Sequence, residues 1–154
     1  MTDYIDAASL VSIITEEAWF INNKENRMSV LNETLSATLD DVQDATIDHE
    51  VNLEDLLNRY EEITDERQYE SGDVFEKKCH LLKEDVAYHE AAVGETIEIF
   101  DARFYGLNSF SRNSSDGLTE ADKLLFNCWN EEIRPKLIEL TKGFYTIESN
   151  LSKM

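Results

Sequence analysis

Proline occurs once in the 154 residues and glycine five times. A β-sandwich or barrel of this length needs far more turn residues, so the scarcity argues against an all-β fold. Two cysteines cannot form a disulfide framework. The longest uninterrupted apolar run is Ala18 to Ile21, far short of the ~20 residues of a membrane span. The opening Met1-Thr2-Asp3-Tyr4-Ile5-Asp6 lacks a basic leader. These features lead us to expect an intracellular protein, cytoplasmic or nuclear, that is not secreted. Basic residues are also few, 14 against 33 acids, for a net charge of -19. Phosphate contacts run on Lys and Arg, so direct binding to nucleic acid or to an anionic membrane is disfavoured.

What is present is helical periodicity. Apolar residues make up 42% of the chain, enough for a packed core in a single domain, 1–154. Tyr4, Ala7, Val11, Ile14, Ala18 and Ile21 recur at steps of three and four and predict a first helix over about 3–22. The second segment is the most regular. Met28, Leu35, Val42, His49, Leu56 and Ile63 fall seven apart, with Leu39, Thr46, Leu53 and Tyr60 four residues after their neighbours. That is a heptad seam over a helix of about 27–70, ~66 Å long at 1.5 Å per residue. Asn52, with Asp55 three residues on, resembles a cap that would break it, but the seam keeps its phase across Asn52 and predicts continuity.

Ser71-Gly72 reads as a helix end and a reversal. A third helix is expected over about 73–106, with Cys79, Val86, Val93, Phe100 and Leu107 at sevens. Gly94 inside it either costs ~1 kcal/mol against Ala or marks a close helix approach. Residues 107–118 read as a flexible polar loop, and Thr119 with Asp122 as a capping pair for a last helix over about 119–151. Pro135 should kink or restart that helix; beyond it Leu137, Leu140, Phe144, Ile147 and Leu151 make an apolar stripe. The expected fold is all-α, an elongated bundle of about four helices with a long heptad-patterned hairpin.

The sequence carries little that resembles catalytic chemistry. No phosphate loop, dinucleotide fingerprint, nucleophile elbow or CxxC occurs. Neither Asp nor Glu lies three residues before His49, His80 or His89, which argues against a di-iron bundle. We expect no cofactor, no metal and no enzymatic activity. Cys79 and Cys128 fall on apolar faces and read as reduced core residues, as do Trp19, Trp129, Phe126 and Tyr145 as core aromatics. Glu76, His80 and Glu84 share an exposed helix face. A hairpin reversal near Gly72 brings His49 and His89 within about one turn of each other, as two core histidines or as a pH- or metal-sensitive pair.

Charge is the distinctive feature. Between residues 33 and 76 the only cations are Arg59 and Arg67, among 15 acids. Asp40, Asp41, Asp44, Asp48, Glu54, Asp55, Glu61 and Glu62 avoid the seam and form an acidic ridge. With so few cations at i+4, like charges repel along it. The expected function is a non-catalytic acidic interaction protein, a coiled-coil or bundle subunit or adaptor in a larger complex. Its seam residues Leu35, Leu39, Val42, Leu53, Leu56 and Tyr60 pair with its own third helix or with a partner helix. The ridge steers a basic protein partner. Homo- or hetero-oligomers are compatible with this. The alternative is an inhibitor that mimics nucleic acid, with carboxylates standing in for phosphates.

Overall fold

The computed structural model describes residues 24–112 and 118–154, and among them there are helices and no strands. The expected first helix, 3–22, lies outside the described residues, as does Trp19.

Helix α1 spans Lys24–Glu66, 43 residues. It contains neither Gly nor Pro and passes through Asn52 without interruption. Its interior threonines, which compete for backbone bonds, turn their hydroxyls back onto the preceding turn. Thr34 Oγ1 donates to the Val30 carbonyl at 2.8 Å and Thr38 Oγ1 to that of Thr34 at 2.7 Å. A short 3-10 turn, Arg67–Tyr69, follows. Ser71 then starts helix α2, Gly72–Arg112: its carbonyl accepts from the Phe75 amide at 3.0 Å and its Oγ from the Val74 amide at 3.4 Å. α2 continues six residues past the expected end at 106, which corrects the start of the expected loop. Leu107 is fully buried, and that burial outweighs the ~1 kcal/mol cost of a helical Gly106. Residues 113–117 of that loop lie outside the described residues.

Helix α3, Glu120–Asn127, begins with the expected cap. Thr119 Oγ1 accepts from the Asp122 amide at 3.1 Å, and the Asp122 carboxylate accepts from the Thr119 amide at 3.4 Å. A π turn, Cys128–Ile133, leads without a break into helix α4, Arg134–Ser152. The π turn accounts for Pro135. In a regular helix the proline ring collides with the carbonyl four residues back. Here the Arg134 amide donates to the Trp129 carbonyl, five residues back, so the turn ahead of the proline is already widened.

The chain packs as two compact units. Unit 1 takes the described residues up to Asp44 together with Thr96–Pro135. Its core holds Leu35, Leu39 and Val42 of α1, Phe100, Phe104 and Leu107 of α2, then Phe126, Trp129 and Ile133. Trp129 stacks on Phe104 with ring centroids 5.0 Å apart, and Phe126 meets Phe104 edge-on at 6.3 Å. Arg134 clamps Asp101 through Nε at 2.9 Å and an Nη at 3.0 Å.

Unit 2 takes Ala45–Glu95 and Lys136–Met154. Its core holds Leu56 and Ile63 of α1, Leu82, Val86 and Val93 of α2, and the whole expected stripe of α4, Leu137, Leu140, Phe144, Ile147 and Leu151. Arg59 meets Asp85 at 2.6 Å, and Glu66 meets Lys78 at 3.2 Å. Climbing α1 by seven residues therefore descends α2 by seven, which is antiparallel pairing of the two helices within this unit.

Candidate functional site

The seam of α1 is the expected partner face. Leu35, Leu39, Val42 and Leu56 are all buried, with at most 5% of their surface exposed. Leu53 and Tyr60 are half-buried. The chain itself covers the seam. Burial at these positions favours pairing within the chain over an open apolar strip. Leu53 lies so close to α4 that a Cβ on Gly143 would stand 2.8 Å from its Cδ2.

The acidic ridge behaves differently. Asp40 and Asp44 in unit 1 are exposed and Asp41 is half-exposed; Asp48, Glu54, Asp55, Glu61 and Glu62 in unit 2 are all exposed. None of the eight forms an ion pair with a described residue. Carboxylates off the ridge do: Glu50 holds Lys136 at 2.9 Å, Asp85 holds Arg59, Asp101 holds Arg134, and Lys78 is gripped by both Glu66 and Glu70. The bonds from Glu70 and Glu66 stabilise the Lys78 ammonium and raise its pKa. Arg59, Lys78, Arg134 and Lys136 are thus committed to carboxylates off the ridge.

Two large apolar side chains stand on the same outer face. Ile47 is 57% exposed and Val51 51%. They are one helical turn apart, on the opposite side of α1 from the seam.

The two seam histidines do approach each other in unit 2. His49 is buried, and burial lowers its pKa; repulsion from His89 adds to this, while Asp48 opposes it. His89 stacks on Phe144 with centroids 6.1 Å apart. Among the described residues no group of three or more His, Cys, Asp or Glu side chains is placed to hold a metal ion. His80 Nε2 meets Glu84 Oε1 at 3.0 Å on an exposed face, as its spacing implied.

Tyr145, Cys79 and Cys128 are less buried than their positions on apolar faces imply. Tyr145 is 61% exposed, so it is not a core aromatic like Trp129 and Phe126. Cys79 and Cys128 are free thiols but half-buried, at the margin of the core; partial burial raises both pKa values, which keeps the thiols protonated. Gly94 has nothing within 4 Å of its missing Cβ among the described residues, so no close approach explains it.

Several features were not foreseen. Asp122 is fully buried and accepts from Asn32 Nδ2 at 3.0 Å, across 90 residues of chain. Arg103 is 3% exposed, its guanidinium 4.9 Å from the Phe100 ring centre. Glu90 shares a side-chain hydrogen bond with Glu148; burial first, then that bond and the like charge, raise the Glu90 pKa. Glu90 holds its proton more tightly than a free carboxylate does. No helix among the described residues is long and apolar enough to cross a membrane. No protein-family model, no curated protein and no solved structure matches this chain.

Proposed function

We propose that the chain is a non-catalytic helical adaptor or bundle subunit whose acidic ridge steers and holds a basic protein partner. One observation carries this reading: eight exposed or half-exposed carboxylates on one helix, none ion-paired with a described residue, while other carboxylates of the molecule are paired. A helix that needed only solubility would mix signs and gain i,i+4 support. A one-sign surface instead raises the encounter rate with a cationic protein and makes it salt-sensitive.

The test compares the wild-type chain with D40N/D41N/D44N/D48N in affinity capture, eluting with a salt step. The expected result is a basic protein that leaves at moderate salt and is not retained by the variant. Equal retention of the same partners by both chains would refute the reading. Adding duplex DNA to the loaded column separates the second reading. The exposed one-sign ridge also favours mimicry of nucleic acid, and in that case duplex displaces the partner as well as salt does.

A further inference from the structure

The exposed pair Ile47 and Val51 calls for a physical account, because it sits where charge should exclude it. Both are β-branched aliphatic residues on the side of α1 away from the seam, and both leave more than half their surface in water, while Leu57, further along the helix, is 42% exposed. Within unit 2 they are bordered by Asp48, Glu54 and Asp55, with Glu61 and Glu62 following one to two turns further on. The single guanidinium of that stretch, Arg59, is turned to Asp85 on α2. The face is thus two apolar side chains one turn apart, fringed by the carboxylates of Asp48, Glu54 and Asp55, which form no ion pair with a described residue; Glu50, between the two, holds Lys136.

We propose that this face of α1, from Ile47 to Glu62, docks a basic amphipathic helical segment of a partner protein. Apolar side chains of that segment, spaced one turn apart, cover Ile47 and Val51, and its flanking Lys or Arg side chains meet the carboxylates. Charge decides the occupant. A second copy would bring a like-charged ridge against this one, and nucleic acid or an anionic membrane would be repelled. A purely cationic coil would satisfy the carboxylates and leave the apolar pair wet. Only a segment that is both basic and amphipathic matches both features, and it binds by laying its apolar face against the helix. The inference rests on the reading of the ridge as a partner surface and adds to it a requirement for apolar contact and helical form.

The experiment uses the full chain and two fluorescent peptides of one composition, each about 18 residues of Lys, Leu and Ala. In one the leucines share a helix face; in the other they are scattered. Anisotropy is read across a salt series for the wild type, for I47S/V51S and for D48N/E54Q/D55N/E61Q/E62Q, with far-UV circular dichroism confirming that each variant is folded. The expected result is tighter binding of the amphipathic peptide. I47S/V51S should weaken that peptide by about tenfold, with its salt dependence kept and the scattered peptide unaffected. The charge variant should weaken both peptides and flatten the salt dependence. Equal binding of both peptides, unchanged by I47S/V51S, overturns this inference while the charge-steered reading stands. No binding of either peptide at low salt overturns both. A fall in sedimentation mass on I47S/V51S, with peptide affinity unchanged, assigns the face to a second copy and also overturns it.

Discussion

Two glycines in helix interiors offer a matched pair of perturbations. Gly94 lies in α2 and Gly143 in α4, and both sit in unit 2. Replacing a helical glycine by alanine gains roughly 0.5–1 kcal/mol, chiefly by restricting the unfolded chain. At Gly94 the new methyl meets nothing within 4 Å among the described residues, so the full gain should appear. At Gly143 the methyl would stand 2.8 Å from Leu53 Cδ2 and 3.4 Å from Cδ1. Carbon atoms prefer ~3.5–4.0 Å, so the isopropyl end of Leu53 must move by roughly 1 Å. Leu53 is half-buried and has room to rotate, at an off-rotamer cost of order 0.5–1.5 kcal/mol. The gain and the cost then nearly cancel. Gly94→Ala should raise the urea midpoint, with a melting temperature higher by about 1–4 °C. Gly143→Ala should stay near wild type, so the two chemically identical changes should differ by about 1 kcal/mol. Gly143→Ala combined with Leu53→Ala removes the clash and isolates it in a double-mutant cycle. Equal stabilisation at both sites would refute the reasoning, because it would mean that Leu53 does not press on Gly143.

Three further outcomes follow from the buried groups. Because burial lowers the His49 pKa below 6.5, the folded state binds fewer protons than the unfolded one just under that pH. Stability should fall as pH drops through 6.5, and His49→Gln should flatten that slope in urea titrations at pH 5, 6 and 7. The Glu90 pKa is raised above 4.5, so its contribution is present at low pH and lost as pH rises through the folded value. Glu90→Gln should therefore be more stable than wild type near neutrality, with the difference closing toward pH 4 in the same assay. Trp129 is 1% exposed and stacked on Phe104, so Trp129→Ala should cost ~3–5 kcal/mol and Trp129→Phe clearly less, by chemical denaturation.

Helical periodicity was legible wherever one face is uniformly buried. The sevenfold spacing of Leu35, Val42, Leu56 and Ile63 carries α1 through Asn52, since burying the seam outweighs a local cap. The stripe from Leu137 to Leu151 is buried at every position. Helix ends were harder, because Gly106 signals a stop only when nothing beyond it needs burying, and Leu107 does. Pro135 was readable as an irregularity but not as a π turn, since the geometry that accommodates it lies in backbone bonds of Trp129 and Arg134. Partners far apart in the chain, Asn32 with Asp122 or Asp101 with Arg134, leave no periodic trace. The ridge was visible as composition. Which carboxylates stay unneutralised depends on where Arg59, Lys78, Arg134 and Lys136 turn, and spacing does not encode that. Ile47 and Val51 were hidden for the opposite reason: an apolar residue off the seam reads as a small exception until its exposure is known.

The division into two units has a spectroscopic consequence. Unit 2, Ala45–Glu95 with Lys136–Met154, contains no tryptophan. Trp129 emission therefore follows unit 1, whereas the far-ultraviolet signal includes the helices of unit 2. Trp129, buried in unit 1, reports on its own surroundings alone. Superimposable curves from the two signals would mark one cooperative transition, and separated curves would resolve two folding units.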